Sequence, residues 1–513
     1  MNELIKHIVV VGGGTAGWLS ASLLARELKN NGVNITLIES ENIATIGVGE
    51  GTWPSMRGTL QRIGFPETEL FTHCNASFKQ GSLFVNWQSE HQPQIYHHPF
   101  SAPWQKETID SSVFWYAQTK QQPFGHTVSG QPRLIEMGKA PKLISTPEYA
   151  AINNYGYHFD AAKFAERLTQ FAVTSLGVNH LLGDVVDIKT HPNGDIAALV
   201  TDRGESLEGD LFLDCSGLTS LLIDKHYKIP FTSVKDELIN DSALAVHVPY
   251  VNPGDNIESA TIATAHPEGW TWEIGLQNRR GVGLVYSSKF CSQEVAHARL
   301  LSHVQSLNPT IATIEPKLIS FNPGYRDKFW HKNVIAIGMA AGFVEPLEAS
   351  ALVMVEQAIK FLADQFPNNR QELDYLSLRY NTLFKEKWRD IVDFLKLHYV
   401  LSKRGEDFWA FHRNEQTQSL RLKAWLTHWQ RHFPSHYDFS TSEALFPPAS
   451  FQYVLYGMNV NPEIQLNSTM KRLAKETHVH YAELVHATKR LHELLPNNRK
   501  LIEQIKAHGL TTI

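Results

Sequence analysis

Residues 7–28 read HIVVVGGGTAGWLSASLLAREL, and this stretch decides the fold. HIVVV is a short β-branched run of the kind that forms a buried parallel strand. It enters three consecutive glycines, after which apolar residues recur at helical spacing. Gly12, Gly14 and Gly17 thus complete a G-x-G-x-x-G between a strand and a helix. There Gly12 permits the tight turn, Gly14 lets the backbone approach a pyrophosphate, and Gly17 lets helix and strand pack closely. Thr15 and Ala16 open the helix, whose free N–H groups make a natural phosphate site. A second strand, NITLIES, carries Glu39, 22 positions beyond Gly17, where a carboxylate accepts from a ribose 2′-OH. No arginine stands there, which argues for an unphosphorylated ribose.

The rest of the chain sets limits. At 513 residues it exceeds the size of a single core, and 42% hydrophobic with 19% charged residues is an ordinary globular balance. A net charge of −5 provides no basic field for nucleic acid or anionic lipid. Cys74, Cys215 and Cys291 are scattered and odd in number, as expected of reduced thiols. No HExxH or Cys/His cluster is present; His97-His98 could be a metal pair, but other readings are preferred and no metal is expected. The triple glycine breaks any signal-peptide core near residue 12, and no apolar run approaches the roughly 18 residues that span a membrane. The expected location is the cytoplasm.

Two later segments favour FAD over NAD. GESLEGDLFLDCSG (204–217) reads as a turn, an edge strand and a strand ending in Asp-Cys-Ser-Gly, and NVIAIGMAAG (333–342) as an apolar strand ending in small residues. Both resemble the distal segments of the FAD-dependent monooxygenase-type fold, in which the last strand brings backbone amides to the flavin. The usual Gly-Asp of that strand is Gly338-Met339 here. GFVEPLEASAL follows, with Pro346 suited to a first helical position, so the spacing places a first helical turn around residues 346–351. Its unpaired amides at 349–351 would form an anion site, and Glu348 would lie in that turn. Glu348 reads either as an acid complementing the helix dipole or as a functional carboxylate. In ASFKQGSLFVNW (76–87), Lys79 stands among residues that leave water, and by itself it decides nothing.

Together, GGGTAGW (12–18), GVGEGTWP (47–54), FKQGSLFVNW (78–87), YHFD (157–160), DCSG (214–217) and GFVEPLEAS (342–350) resemble the flavin-dependent tryptophan halogenase family. WTWEI at 270–274 stands where that family carries WxWxIP, and WRDIVDFLKLHY (388–399), RGEDFW (404–409) and FQYVLYGM (451–458) extend the match. The resemblance implies an α/β fold with a GxGxxG dinucleotide-binding body, inserted substrate sheets over residues 1–360, and a mainly helical C-terminal lobe over 361–513. It also implies a halogenase using FADH2, oxygen and chloride or bromide. Hypohalous acid would be delivered to Lys79, and Glu348 would assist halogenation of an electron-rich ring. Gly49, Gly338 and Leu347 would join the glycine motif in holding FAD, while the amides around Ser350 and Ala351 would hold halide. A separate flavin reductase would supply FADH2, since the one dinucleotide fingerprint is used for FAD. A homodimer stays open.

The chain departs from the family at the substrate end. Gly275 replaces the proline of WxWxIP, although Trp270 and Trp272 remain to keep substrate from the flavin or simply to fill the core. His98 and Phe100 resemble the family's His-x-Phe element that sandwiches an indole, with a plain loop as the alternative. At 451–457 Phe451 and Tyr453 stand where the family clamps the amino-acid end of tryptophan, without the expected tyrosine pair and acid. That points to an indole or other small aromatic rather than free tryptophan. ASA at 349–351 makes bromide preference a fair hypothesis. Two rivals remain: an aromatic hydroxylase on the same fold, and a catalytically silent flavin-binding relative.

Overall fold

The computed structural model describes residues 4–42, 49–91, 94–106, 109–120, 122–439 and 444–512. Gly47 and Val48 of the GVGEGTWP motif lie outside them, as do residues 440–443. The chain forms two compact units. The first comprises Met1–Ala76, Phe159–Ser233 and Asn322–Trp388; the second comprises Ser77–His158, Val234–Phe321 and Arg389–Ile513.

The first unit is built on the strand His7–Val11, whose valines and isoleucine are almost wholly buried. It lies inside a six-stranded sheet, parallel on one side to Asn34–Glu39 and on the other to Leu211–Asp214. Asn179–Leu182 and Val334–Ala336 extend the sheet in parallel, and Trp330–His331 adds an antiparallel edge. Parallel strands buried on both faces need continuous apolar runs, as in His7–Val11, Leu211–Asp214 and Val334–Ala336, whereas Asn179–Leu182 is half-buried or exposed. The helix Thr15–Leu28 follows the first strand through the glycine turn, as its spacing requires. Asp214 ends its strand buried, and its carboxylate accepts from the Leu222 and Ile223 amides and the Ser216 hydroxyl. Burial pushes its carboxyl above the usual range.

The second unit centres on a seven-stranded sheet in the order 317–320, 242–249, 279–286, 269–275, 261–266, 81–85 and 95–99. All its pairings are antiparallel except that of Thr261–His266 with Gly81–Val85. The strand Gly269–Gly275 is buried throughout because both of its faces are covered. Strand alternation puts Trp270 and Trp272 on one face and Thr271 and Glu273 on the other. On the latter face His303, from the helix Gln293–Leu307, meets Glu273 Oε1 at 3.0 Å and Thr271 Oγ1 at 3.4 Å. On the former, Trp272 lies so close over Gly283 that a Cβ there would stand 2.1 Å from its ring. Beyond the sheet this unit is mainly helical, with helices at His478–Leu494 and Asn498–His508 near its end. Among the described residues no helix is long and apolar enough to cross a membrane.

Candidate active site

In the first unit the glycine motif forms a cradle. Gly12 adopts φ +112°, and a Cβ there would stand 2.4 Å from the Cys215 carbonyl oxygen, so both conformation and space demand glycine. Gly17 is equally constrained, since its Cβ would lie 1.9 Å from the Gly12 carbonyl oxygen. Gly14, by contrast, faces open space, with nothing within 4 Å. Gly338 (φ +68°) closes against Ala16, whose Cβ would lie 3.0 Å from one added at 338. Gly49 is buried with φ +87°.

Glu39 stands at the end of its strand, held by His180 Nε2 at 2.7 Å. Gly13 also carries weight, since a Cβ there would strike the Glu39 carboxylate at 1.6 Å. The three-glycine run held the signal for that requirement, which the motif spacing alone passes over. The Thr15 hydroxyl and the Glu50 carboxyl lie together, buried, near the helix start. Burial pushes the Glu50 carboxyl up to about 7. Open space at Gly14, a helix N-terminus and a placed Glu39 together fit the pyrophosphate and ribose of FAD.

The segment after Gly338 departs from expectation. The strand Val334–Ala336 leads into a 3₁₀ turn at Gly338–Ala340 and a two-residue strand, Gly342–Phe343, instead of a helix. The helix then begins at Ser350, not at Pro346. Glu348 and Ala349 adopt φ +64° and +53°, a left-handed pair that no α-helix can include. Glu348 is therefore not a first-turn acid; its backbone carbonyl accepts from Trp53 Nε1 at 2.7 Å, and its side chain is buried. Leu347 is buried in the same turn. Ser350 and Ala351 become the first two helical residues, where N–H groups lack intrahelical acceptors.

In the second unit Lys79 ends the short strand Ser77–Lys79 and is only 1% exposed. Its Nζ stands 5.4 Å from the centroid of the Phe100 ring. His158 lies on the neighbouring strand opposite Ser77 and bonds Thr261 Oγ1 at 2.8 Å. Burial first, and the Lys79 charge second, hold His158 well below its usual range, so it is neutral. The YHFD motif held this histidine without revealing its place beside the lysine.

His98 lies within the strand Ile95–Pro99, not in a loop, and its Nε2 meets Ser450 Oγ at 2.9 Å. Pro99 is tolerated because this strand forms the edge of its sheet. Trp270 is 1% exposed, with its ring 6.1 Å from Trp87 and 6.4 Å from Trp272. Phe451 and Tyr453 occupy the helix Pro448–Gly457. Phe451 packs among Phe394, Trp425, Trp429 and Phe439 at 5.0–5.5 Å. The Tyr453 hydroxyl donates to the Ser101 carbonyl at 3.0 Å.

Residues 7–473 match the protein family described as tryptophan halogenase. Tryptophan 6-halogenase ThaL of Streptomyces albogriseolus is 36% identical over 427 residues, 80% of this chain and 79% of that one. Tryptophan 7-halogenase RebH of Lentzea aerocolonigenes is 33% identical over 426 residues, again 80% and 79%. The crystal structure of a tryptophan halogenase from Shewanella frigidimarina is 44% identical, with a TM-score of 0.95, covering 100% of this chain and 99% of its own.

Proposed function

The chain belongs to the tryptophan halogenase family, and from that premise we propose that this flavin-dependent halogenase halogenates a small electron-rich aromatic such as an indole, with Lys79 as the residue that receives the oxidised halogen. Gly12, Gly14, Thr15, Ala16 and Gly17 would hold the FAD pyrophosphate, and Glu39 its ribose, with Gly49, Gly338 and Leu347 about the rest of the cofactor. Reduced FAD, when bound, supplies the electrons with which oxygen converts halide to hypohalous acid.

The observation that carries the reading is the burial of Lys79 at 1% exposure, beside an aromatic ring and a histidine kept neutral. Burial takes the ammonium out of bulk water, and a hydrogen bond it makes to a small polar molecule there is stronger than the same bond in water. An ammonium N–H donates to the oxygen of hypohalous acid and makes the halogen electrophilic. The aromatic carbon attacks the halogen, the halogen–oxygen bond breaks, and the oxygen leaves as water with a proton from Lys79. The ring proton then passes to a base, for which we assign Glu348. Ser350 and Ala351, whose amides open a helix, are assigned to halide, with bromide preferred over chloride.

The substrate end supports an aromatic without an amino-acid tail. Tyr453 and Ser450 spend their polar groups on Ser101 and His98, and Phe451 is packed among rings. His98 and Phe100, with Trp270 and Trp272, are assigned to the aromatic ring itself. The enzyme works with a flavin reductase, and in this reading in the cytoplasm.

The test supplies FAD, a flavin reductase, NADH, an indole panel, and either chloride or bromide, and reads product mass. Halogenated product should fall by about 10²-fold or more in Lys79→Ala and in Glu348→Gln, while flavin oxidation continues. Hydroxylated product formed without halide would instead establish a hydroxylase.

A further inference from the structure

Outside the residues assigned to halogenation, the second unit brings together His97, His126 and Glu136. The sequence offers His97 beside His98, but neighbouring strand residues point to opposite faces. His98 meets Ser450, whereas His97 turns towards two short helices, Phe124–Val128 and Gln131–Glu136. His97 Nε2 is 3.5 Å from Glu136 Oε1, and His126 Nε2 is 3.0 Å from the same oxygen. One ligand atom from each residue lies within 4.8 Å of the other two. The His97 residue is 7% exposed, and its Nε2 is buried without a hydrogen bond. A buried ring nitrogen left in that state is costly, and it is aimed at a carboxylate and a second imidazole.

We propose that His97, His126 and Glu136 bind one divalent transition-metal ion of the zinc class, with water completing its coordination. Tetrahedral zinc with bonds of about 2.0–2.1 Å holds its ligand atoms about 3.4 Å apart. The two edges through Glu136, 3.0 and 3.5 Å, are already near that spacing. Across the third edge the two histidines bring ligand atoms within 4.8 Å of each other. Two imidazoles and one carboxylate select Zn²⁺ over Mg²⁺ or Ca²⁺, which take all-oxygen sites. Glu136, with its side chain 41% exposed, leaves the site open to water on one side. Arg133 opposes the cation, since its charge also bears on Glu136, but its Nη1 donates to the His126 carbonyl at 2.9 Å and so ties the two helices together. The ion would clip the strand Ile95–Pro99 to that helical pair. Because His98 follows His97 directly, occupancy would stiffen the strand bearing a substrate-side residue without touching the chemistry.

The experiment uses the full chain, stripped with EDTA and dialysed, and titrates it with ZnCl2 by calorimetry and by thermal unfolding. One equivalent should bind and raise Tm, whereas MgCl2 should do neither. Glu136→Gln and His126→Gln, both away from the deep core, should retain the metal-free Tm and weaken Zn²⁺ binding by at least about tenfold, the lower bound for losing even an outer ligand partner. His91→Ala, at an exposed histidine outside the group, should bind as the parent does. No saturable binding, or binding undiminished in Glu136→Gln and His126→Gln, would overturn the proposal.

Discussion

Trp53 Nε1 donates a 2.7 Å hydrogen bond to the backbone carbonyl of Glu348, at the point where the chain enters a left-handed turn. Glu348 and Ala349 are consecutive non-glycine residues with positive φ, each costing about 1–3 kcal/mol unless the surroundings hold it. The tryptophan comes from the GTWP segment, nearly 300 residues earlier. Trp53→Phe keeps an aromatic ring but removes the donor. The expected outcome is a roughly tenfold fall in halogenated product per flavin oxidised, with a stability loss of only about 1–2 kcal/mol. An unchanged product-to-flavin ratio would mean that other contacts hold the turn.

The glycines of the cofactor cradle separate into two kinds. Gly12→Ala would set a Cβ 2.4 Å from the Cys215 carbonyl oxygen and force φ +112° on alanine, so it should lower Tm and abolish FAD binding together. Gly14→Ala meets nothing within 4 Å, so its unfolding free energy should stay within about 0.5 kcal/mol of the parent. FAD affinity, read by quenching of flavin fluorescence, should nevertheless fall. Parent-like affinity in Gly14→Ala would show that no pyrophosphate approaches there.

Stability should decline with pH through a buried acid. Glu356 is 3% exposed and accepts from Ser55 Oγ at 3.0 Å and Thr59 Oγ1 at 2.6 Å. Burial raises its carboxyl from 4.5 to about 7. The folded value lies above the unfolded one, so its contribution is complete below about 4.5 and is lost as pH climbs through about 7. The linkage amounts to about 3 kcal/mol at most. Glu356→Gln, which mimics the neutral acid, should therefore gain on the parent in Tm between pH 5 and pH 8. A Tm difference independent of pH would place the titration elsewhere.

Beneath the paired tryptophans, the Glu273–His303 contact should hold the strand in register. Both side chains are under 10% exposed, and the bond is 3.0 Å. His303→Leu alone leaves a buried carboxylate without this partner and should cost about 3–5 kcal/mol. The double change Glu273→Leu/His303→Leu should recover part of that loss in urea unfolding. Additive losses would show that the two residues do not act as a pair.

By itself the sequence determined the strand–glycine–helix–strand entry, the acid at Glu39 and the family, because those depend on local spacing. Gly12 and Gly17 needed no tertiary knowledge: only glycine tolerates the turn and the close backbone approach. The buried state of Lys79 was legible only as a question, since a lysine among apolar residues reads equally well as a surface group. Folding answered it by pairing its strand with that of His158, two segments nearly 80 residues apart. The same dependence on tertiary structure explains the turn at Glu348. Its helical spacing looked continuous from Pro346, but a distant indole and the left-handed pair end that continuity. The grouping of His97 with His126 and Glu136 was beyond the sequence altogether. Ligands from a strand and two short helices meet only after packing, which no spacing along the chain encodes.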